Sequence, residues 1–331
     1  MRASPAARQL TASPGFGQPS LPEGSCHPAS GQYPRAASGP TGNNQKPWLV
    51  RPFRPISLAQ LNATSAMLER LDNKYVIRQS ALREAIAELS RHFDILEIEG
   101  KRDFSYQTCY FDDAKLSSYF DHHQGRRQRC KIRVRKYADS QTCFIEVKLK
   151  DKRGITVKKR LEHPFDGYGV LDDRAMAHIQ SAYGELYGRE FNPVLQPVLE
   201  ISYQRVTLTA KDGGERMTID SGLFFSGADR AHSINDSIFI VETKSGNGNG
   251  IADKILRGLH QHPTTHCSKY CIGAAVLQFV NRHNNFLPAL RKVEAVPVPN
   301  VGLISGRSRA ARRDETATSP SSLGWEADFA T

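Results

Sequence analysis

The sequence has little that would place it in a membrane or an oxidising compartment. Its longest apolar stretch, residues 271–280, is far too short to span a bilayer, and the N-terminus lacks the apolar run of a secretory signal. The six cysteines include no C-x-x-C pair, and several lie in apolar, strand-like segments, as reduced core cysteines do. We therefore expect a cytoplasmic protein with no direct membrane span.

Aliphatic residues are scarce at both ends of the chain. Residues 1–54 combine repeated Pro, Gly and Ser with few aliphatic side chains, and residues 291–331 pass from alternating prolines to Arg, Ser and Ala. Such segments cannot bury enough apolar surface to offset the entropy lost on ordering. The sequence predicts two disordered tails around one folded domain at residues 55–290.

Positive charge predominates. The chain has 45 lysine and arginine residues against 34 acidic residues, which gives a formal net charge of +11. This excess favours an anionic partner, but it does not choose between nucleic acid, a membrane and a phosphate compound. The positions of the cations along the chain give more information about the type of anionic partner.

The hydrophobic periodicity of the domain changes along the chain. Short polar connectors at 138–140 and 211–214 are typical of antiparallel hairpins. The predicted class is therefore α+β, built on a large antiparallel sheet or barrel with flanking helices. Helical spacing is found at 58–71, 80–93, 172–186 and 251–259. Strand-like segments are found at 104–111, 131–137, 142–150, 156–162, 198–210, 215–220 and 238–244.

Cations occupy every second position of several predicted strands. Lys131, Arg133 and Arg135 share one face of their strand, and Ile132 and Val134 share the other. In a single strand this pattern is typical of an ordinary solvated face. We expect the sheet to close into a barrel whose apolar faces pack against helices and whose charged faces line a lumen. The pattern recurs at 146–150, 158–160, 216–220 and 242–244.

A lumen of this kind suits a chain of phosphates. Its like charges repel at low effective dielectric, so the empty state is costly unless a polyanion or carboxylates neutralise them. Arginine offers a planar fork for bidentate phosphate contact, and lysine offers a mobile point charge. The charged faces carry few aromatic side chains, which weighs against stacking of nucleic-acid bases. The predicted ligand is phosphate without a base.

A series of charged motifs runs through the domain. It comprises Arg70-x-Asp72-x-Lys74-Tyr75, Tyr110-Phe111-Asp112, Gly125-Arg126-Arg127-x-Arg129-x-Lys131-x-Arg133-x-Arg135, Glu146-Val147-Lys148, Lys158-Lys159-Arg160, Tyr203-x-Arg205, Arg216-x-Thr218-x-Asp220, Glu242-x-Lys244 and Ser268-Lys269-Tyr270. In this order and spacing the motifs resemble the VTC-type polyphosphate polymerase domains of the triphosphate tunnel, or CYTH-like, superfamily. The resemblance covers roughly residues 55–285.

The resemblance implies an eight-stranded antiparallel tunnel that binds a triphosphate or a longer polyphosphate, with Mn²⁺ or Mg²⁺ on the phosphates. Glu242 would be the metal ligand, and either Lys158 or Lys159 would face the tunnel. The residues that would contact phosphate oxygens are Lys74, Arg133, Arg135, Lys148, Lys158, Arg205, Arg216, Lys244 and Lys269.

The implied reaction passes the terminal phosphoryl group of ATP to the end of a growing polyphosphate chain and releases ADP. It depends mainly on positioning and on neutralising charge, and the acceptor oxygen is already ionised. Hydrolases and cyclases of the superfamily open with Glu-x-Glu-x-Lys, where this chain has Arg70-x-Asp72-x-Lys74. The lost carboxylate should weaken two-metal activation of water and so favour phosphate as the acceptor.

Other functions remain open at this point. They are a triphosphatase of the same superfamily, a non-catalytic polyphosphate-binding module and, less favoured, a nucleic-acid binder. The expected partners are ATP and inorganic polyphosphate, not nucleic acid. An accessory or membrane partner is a further option that the sequence does not decide.

Several residues have both a structural and a functional interpretation. Tyr106 and Tyr110 are expected in the core, and the glycine-rich segment 245–250, which lacks a Gly-Lys-Ser/Thr ending, is expected to be a connector. Glu146 and Asp220 would either hold neighbouring cations or add metal ligands. The spacing of a histidine and cysteine cluster fits no standard zinc pattern: His260, His262, His266, Cys267 and Cys271. Five further residues would either contact phosphate or lie in solvent at the surface: His122, His123, Arg126, Arg127 and Arg129.

Overall fold

The protein has an α+β fold in which helices pack on a large antiparallel sheet. A computed structural model describes residues 46–64 and 71–298. The strands are β1 (Pro55–Ile56), β2 (Leu71–Arg78), β3 (Phe93–Leu96), β4 (Asp103–Asp112), β5 (Arg129–Tyr137), β6 (Thr142–Lys150), β7 (Thr156–Glu162), β8 (Gln196–Ala210), β9 (Glu215–Gly227), β10 (Arg230–Ile234), β11 (Ile238–Ser245) and β12 (Ala295–Pro297). The helices are α1 (Pro47–Val50), α2 (Leu58–Thr64), α3 (Gln79–His92), α4 (Ser117–His123), α5 (Asp173–Tyr187), α6 (Ile251–Gly258), α7 (Lys269–Val276) and α8 (Leu287–Val293), with a 3₁₀ turn at Asn284–Phe286.

Eight antiparallel strands form a continuous path in the order β2-β11-β9-β8-β4-β5-β6-β7. β10 and β12 continue from the far end of β9, and β3 and β1 attach to β8. Within the described residues β2 pairs with β11 alone and β7 with β6 alone. The closed barrel expected from the sequence is therefore not confirmed. Alternating residues fix which side chains share a face, whereas closure depends on the twist and stagger of the whole sheet.

The sheet curls, although its two edge strands are not paired with each other over the described ranges. Lys74 on the first strand of the path lies close enough to Lys131 on the sixth, and to Lys148 on the seventh, for their charges to interact. One face of the sheet is therefore concave. We call the polar half of this concave face the basic groove.

The outer face of the sheet is apolar and covered by helices. α1, α3 and α6 pack on β2, β8, β9 and β11, where Phe239 and Leu208 are fully buried. α5 packs on β4, β5 and β6, where Val134 and Val147 are fully buried. This arrangement agrees with the alternation predicted from the sequence, because apolar residues of the strands face helices.

The apolar half of the concave face is filled by a third core. α4, α7 and α8 pack there against strand residues such as Leu199 and Ile240. Tyr270 and Cys271 of α7 are almost completely buried in this core. The helix therefore blocks one half of the concave face, and its first residue, Lys269, lies where that core meets the basic groove.

The folded domain extends beyond the boundaries predicted for it. Leu49, Val50 and Phe53 are buried, and the ring of Trp48 lies 5.7 Å from that of Phe239. At the other end α8 continues to residue 293 and β12 pairs with β10. The predicted tails were too long. A few apolar side chains are enough to pack a short segment, such as residues 47–53, onto the domain. Residues 1–45 and 299–331 lie outside the described residues.

One predicted helix also ends earlier than expected. The helical spacing at 58–71 includes Leu71, which in the structure begins strand β2. Arg70, which belongs to the first charged motif, lies outside the described residues. In the described ranges, no helix combines the length and the apolar character needed to cross a membrane.

Candidate functional site: a basic groove organised by buried carboxylates

The nine cations singled out from the sequence all lie on the concave face. Strand register explains this for the eight cations that lie on strands, because each alternates with a buried apolar or outward-facing residue: Lys74 with Tyr75, and Arg216 with Met217, for example. They come from different strands and one helix: Lys74 on β2, Arg133 and Arg135 on β5, Lys148 on β6, Lys158 on β7, Arg205 on β8, Arg216 on β9, Lys244 on β11 and Lys269 at the start of α7.

The structure resolves the choice between the two lysines of β7. Lys158 points into the groove, where its Nζ lies 2.6 Å from Glu146 Oε1. Lys159 points outward and pairs with the exposed Glu185 of α5 at 3.0 Å. The sequence could not separate them because both faces of this edge strand carry cations.

Glu146 organises one side of the groove. Its side chain is 1% exposed, and its Oε2 lies 2.5 Å from Arg133 Nη2 and 3.9 Å from Arg135 Nη1. Burial alone would raise the pKa of Glu146, but Arg133, Arg135 and Lys158 hold that pKa well below its usual value. The carboxylate is therefore ionised and fixes three cations. We call Glu146, Arg133, Arg135 and Lys158 the Glu146 cluster.

Asp220 performs the same task in the middle of the sheet. Arg205 donates to it with both Nε, at 2.6 Å, and Nη2, at 2.8 Å, and Lys269 Nζ lies 2.5 Å from the second carboxylate oxygen. Burial would raise the pKa of Asp220, but Arg205 and Lys269 lower it to about 2. The pairing joins helix α7 to the sheet and fixes Lys269 at the groove.

Glu242 lies in a looser arrangement. Lys74 Nζ is 3.0 Å from its Oε1, Lys244 Nζ is 4.0 Å from its Oε2, and the side chain is 15% exposed. Burial would raise the pKa of Glu242, but Lys244, Lys74 and Lys148 hold it well below its usual value. We call Glu242, Lys74 and Lys244 the Glu242 cluster.

A buried network on the outer face supports the strands of the Glu242 cluster. Asp253 of α6 accepts hydrogen bonds from Tyr75 Oη at 2.5 Å, Asn73 Nδ2 at 2.9 Å and Thr243 Oγ1 at 2.7 Å. These donors flank Lys74 and Glu242 in sequence. The network therefore fixes the register from which the two charged side chains project.

Lys131 belongs to the groove although it was not among the nine predicted contacts. Its Nζ lies 3.3 Å from Ser268 Oγ at the start of α7. Burial, together with the charges of Lys148 and Lys74, lowers the pKa of Lys131 to about 7. Burial likewise lowers the pKa of Lys158 to about 8, although Glu146 opposes the shift. Two groove lysines therefore lose charge near neutral pH.

Aromatic side chains line the groove, contrary to what the sequence suggested. Tyr110 Oη accepts a hydrogen bond from Arg133 Nη1 at 3.0 Å, and Tyr203 Oη accepts one from Arg135 Nη2 at 3.0 Å. Tyr106 stacks on Tyr203 with ring centroids 5.4 Å apart. Tyr106 and Tyr110 do contact the core, but they also hold the arginine forks. On β4, Tyr106 lies across from Tyr137 of β5, and Tyr110 lies across from Arg133. This pairing places both tyrosines on the face that carries the arginines, which the sequence analysis did not recognise.

The structure also places the other features that the sequence left open. In residues 46–64 and 71–298, no three His, Cys, Asp or Glu side chains are placed to hold a metal ion together, so the proposed zinc alternative finds no support. Segment 245–250 connects β11 to α6, as expected. His122 and His123 lie in α4, where burial, with the charge of Lys131, lowers the pKa of His122 to about 2. Arg126 and Arg127 are exposed, and Arg129 is partly buried.

The chain belongs to the VTC domain family, whose model matches residues 69–278. No curated protein matches the sequence. Among similar solved structures is a protein from Pyrococcus horikoshii OT3, with 14% sequence identity, alignment over 61% of this chain and 96% of that chain, and a TM-score of 0.34. A candidate adenylate cyclase from Bacillus halodurans has 11% identity, coverage of 61% and 95%, and a TM-score of 0.34. A candidate adenylyl cyclase from Hippeastrum, described as having a dominant triphosphatase activity, has 11% identity, coverage of 62% and 96%, and a TM-score of 0.36. Similarity at this level carries no argument about activity.

Proposed function

We propose that this VTC-domain protein is a metal-dependent polyphosphate polymerase that transfers the terminal phosphate of ATP to inorganic polyphosphate. One observation carries the proposal: cations from seven different strands and one helix share a groove, and buried carboxylates fix the positions of several of them. A groove whose cations outnumber its carboxylates is complementary to a linear polyanion. The arginine forks favour phosphate oxygens because they allow bidentate contact.

The buried carboxylates supply preorganisation. Glu146 and Asp220 hold Arg133, Arg135 and Arg205 at fixed positions before any ligand arrives. Cations that need no reorganisation stabilise developing charge in a transition state more effectively than mobile ones. Lys148 and Lys74, which are more accessible, are suited to hold the incoming chain.

The reaction that fits this groove is transfer between phosphates. A terminal oxygen of the polyphosphate attacks the γ-phosphorus of ATP, the bond from that phosphorus to the β,γ-bridging oxygen breaks, and ADP leaves with the electron pair. The groove residues bind and orient both phosphate chains and neutralise their charge, which is the main requirement of phosphoryl transfer.

A divalent metal fits the groove only if phosphate oxygens complete its coordination. Glu242 is the carboxylate best placed to hold Mn²⁺ or Mg²⁺, because Glu146 and Asp220 are already committed to short ion pairs. Magnesium is commonly bound by one or two carboxylates together with substrate phosphates. When bound, the metal would neutralise part of the charge on the phosphates.

The carboxylates of the groove favour transfer over hydrolysis. Glu146, Asp220 and Glu242 all have pKa values lowered by neighbouring cations, so they are weak bases for activating water. A phosphate acceptor is already ionised and needs no base.

Product analysis tests the proposal. Purified protein incubated with ATP and Mn²⁺ or Mg²⁺ should yield ADP and polyphosphate long enough to resolve on a gel, while Glu242→Gln should not. Release of inorganic phosphate alone would make the protein a triphosphatase. Polyphosphate binding without turnover, unaffected by Glu242→Gln, would make it a binding module.

A further inference from the structure

Successive rows of the ladder between β5 and β6 differ in how their charges are matched. In one row Arg133 lies across from Glu146, and the two form a short ion pair of the Glu146 cluster. In the next row Lys131 lies across from Lys148. Like charges directly across two antiparallel strands destabilise the pairing. The matched part of this ladder therefore ends at the Glu146 cluster.

A second row of like charges follows at the end of the ladder. Arg129 lies across from Lys150, and both residues are half-buried. Burial lowers the pKa of Lys150, and the charges of Arg129 and Lys74 lower it further, although Asp151 opposes the shift. Strand alternation places this row on the same concave face as Lys131. The excess of positive charge therefore continues beyond the groove.

Two loops next to this row carry further cations. Arg126 and Arg127 lie between α4 and β5, and both are exposed. Lys152 and Arg153 lie between β6 and β7, and they are exposed as well. Because β5 begins and β6 ends in this row, both loops leave the sheet at one place. We call the cations of the row and of the two loops the outer rim: Arg126, Arg127, Arg129, Lys150, Lys152 and Arg153.

The carboxylates that contact the outer rim do not balance its charge. Asp121 Oδ1 lies 3.3 Å from Arg126 Nε. Asp151 Oδ1 accepts hydrogen bonds from the backbone amides of Arg153 at 2.9 Å and Ile155 at 2.8 Å, so it shapes the hairpin. Six cations against these two carboxylates leave a basic surface that is continuous with the groove.

Exposure rises along β5 and β6 towards the outer rim. On β5 the side chain of Arg135 is 7% exposed and that of Arg133 is 23% exposed. On β6 the side chain of Glu146 is 1% exposed, whereas Lys148 is exposed. The side chain of Arg126, on the rim itself, is 63% exposed. At this end of the two strands the groove therefore opens onto the outer rim.

We propose that the outer rim is a second binding segment for long polyphosphate, which holds the part of the chain that extends from the basic groove at this end. The inference rests on the proposed function for the identity of the ligand. A polyanion that continues from the groove neutralises both rows of like charge and the cations of the loops. Long, exposed lysine and arginine side chains can follow a chain that has no fixed register outside the groove.

Ligand length separates the outer rim from the groove. Arg133 and Arg129 are four residues apart on β5, which corresponds to about 13 Å along the strand. Tripolyphosphate held at the Glu146 cluster should therefore leave the rim uncovered, whereas a long chain can occupy both. A change confined to the rim should weaken binding of the long chain alone.

A variant with four neutralised rim residues tests this expectation: Arg126→Gln, Arg127→Gln, Lys152→Gln and Arg153→Gln. Calorimetric titration should show that the affinity for long polyphosphate falls about tenfold or more, while the affinity for tripolyphosphate stays within about twofold of the wild type. The affinity for long polyphosphate should also depend less steeply on salt, because fewer phosphate charges are neutralised.

A matched control removes the same number of exposed cations from segments on the other side of the sheet: Arg51→Gln, Arg54→Gln, Arg174→Gln and Lys254→Gln. This variant should bind long polyphosphate like the wild type. An equal loss in the control would assign the effect to net charge and overturn the proposal.

The remaining outcomes separate the outer rim from the proposed function. If the rim variant binds long polyphosphate like the wild type, the rim is not part of the binding site. Rim-dependent binding of phosphatidylserine vesicles, with polyphosphate affinity unaffected by the rim, would assign this surface to a membrane and overturn the proposal. If the wild type binds neither tripolyphosphate nor long polyphosphate, the proposed function itself fails.

Discussion

The Glu146 cluster and the Glu242 cluster each pair a glutamate with several cations, but the two glutamates differ in burial and in the length of their ion pairs. Glu146 is 1% exposed, with nitrogens of Arg133 and Lys158 at 2.5 and 2.6 Å. Glu242 is 15% exposed, with Lys74 at 3.0 Å and Lys244 at 4.0 Å. Both carboxylates have a strongly lowered pKa. The lowered pKa alone would not distinguish them.

The difference lies in what each carboxylate can still do. Glu146 has both oxygens in short contacts with cations, so its negative charge is committed to holding Arg133 and Lys158. Glu242 has one ordinary contact and one long one. Under the proposed function it is therefore the carboxylate expected to exchange a lysine for a metal ion, whereas Glu146 is expected to serve the structure alone.

The largest effect is expected on stability when Glu146 is neutralised. Glu146→Gln leaves buried cations without their counter-charge and should lower the free energy of unfolding by about 3 kcal/mol. Urea unfolding followed by circular dichroism measures the change. Glu185→Gln is the matched control, because Glu185 pairs with the neighbouring Lys159 on the exposed side and should unfold like the wild type. Equal stability of the two variants would refute the assigned role of Glu146.

Neutralising Glu242 should have the next largest effect, on turnover. Glu242→Gln should reduce metal-dependent product formation about 100-fold, because one ligand charge for the metal is lost. Polyphosphate affinity without metal should stay the same or rise, since a negative charge has left the groove. Retention of full turnover at saturating metal would show that the two clusters do not differ in the way described.

Polyphosphate affinity should fall as pH rises. Lys131 and Lys158, with pKa values of about 7 and about 8, are charged below those values and neutral above them. Interior phosphates stay ionised throughout, so the dissociation constant for long polyphosphate should increase about tenfold between pH 6 and pH 9. Calorimetric titration at several pH values measures it. Lys131→Met should flatten the curve, and an equally steep curve for that variant would assign the titration to other groups.

The smallest effect is expected from the tyrosines that hold the arginine forks. Tyr110→Phe removes the acceptor for Arg133 Nη1 but keeps the ring, and should weaken polyphosphate binding about threefold to tenfold. Tyr187→Phe, which removes a hydroxyl on the outer side of the sheet, should leave the affinity unchanged. If the wild type, Tyr110→Phe and Tyr187→Phe bind polyphosphate with identical affinity, the hydroxyl of Tyr110 does not contribute to binding and the residue serves packing alone.

The inward-facing cations could be predicted because strand geometry is periodic. Arg133 and Arg135 alternate with Ile132 and Val134, and the structure places the first pair in the groove and the second in the outer core. The same rule could not choose between Lys158 and Lys159, because β7 lacks a clear apolar face. It also could not show that β2 and β7 lack mutual pairing in the part of the chain that the structure describes, because pairing between the first and last strands leaves no mark in either sequence.

Contacts that join distant segments were beyond sequence reasoning. Glu146 and Asp220 could be counted as neighbours of cations, but their triple and double ion pairs depend on how the strands curl. Tyr106 and Tyr110 were assigned to the core because an inward-facing ring in a curled sheet has the same alternation as a core ring. Only the register of β4 with β5 and β8 shows that they lie against the arginines.

Competition binding tests the central claim, that the groove recognises a chain of phosphates, most directly. Fluorescently labelled long polyphosphate is titrated with the protein at physiological salt and then challenged with unlabelled polyphosphate or with single-stranded DNA at equal phosphate concentration. Unlabelled polyphosphate should displace the probe, and DNA should displace it at least about tenfold less effectively, because bulky nucleosides separate its phosphates. Equal displacement by DNA, or no binding of polyphosphate, would contradict it.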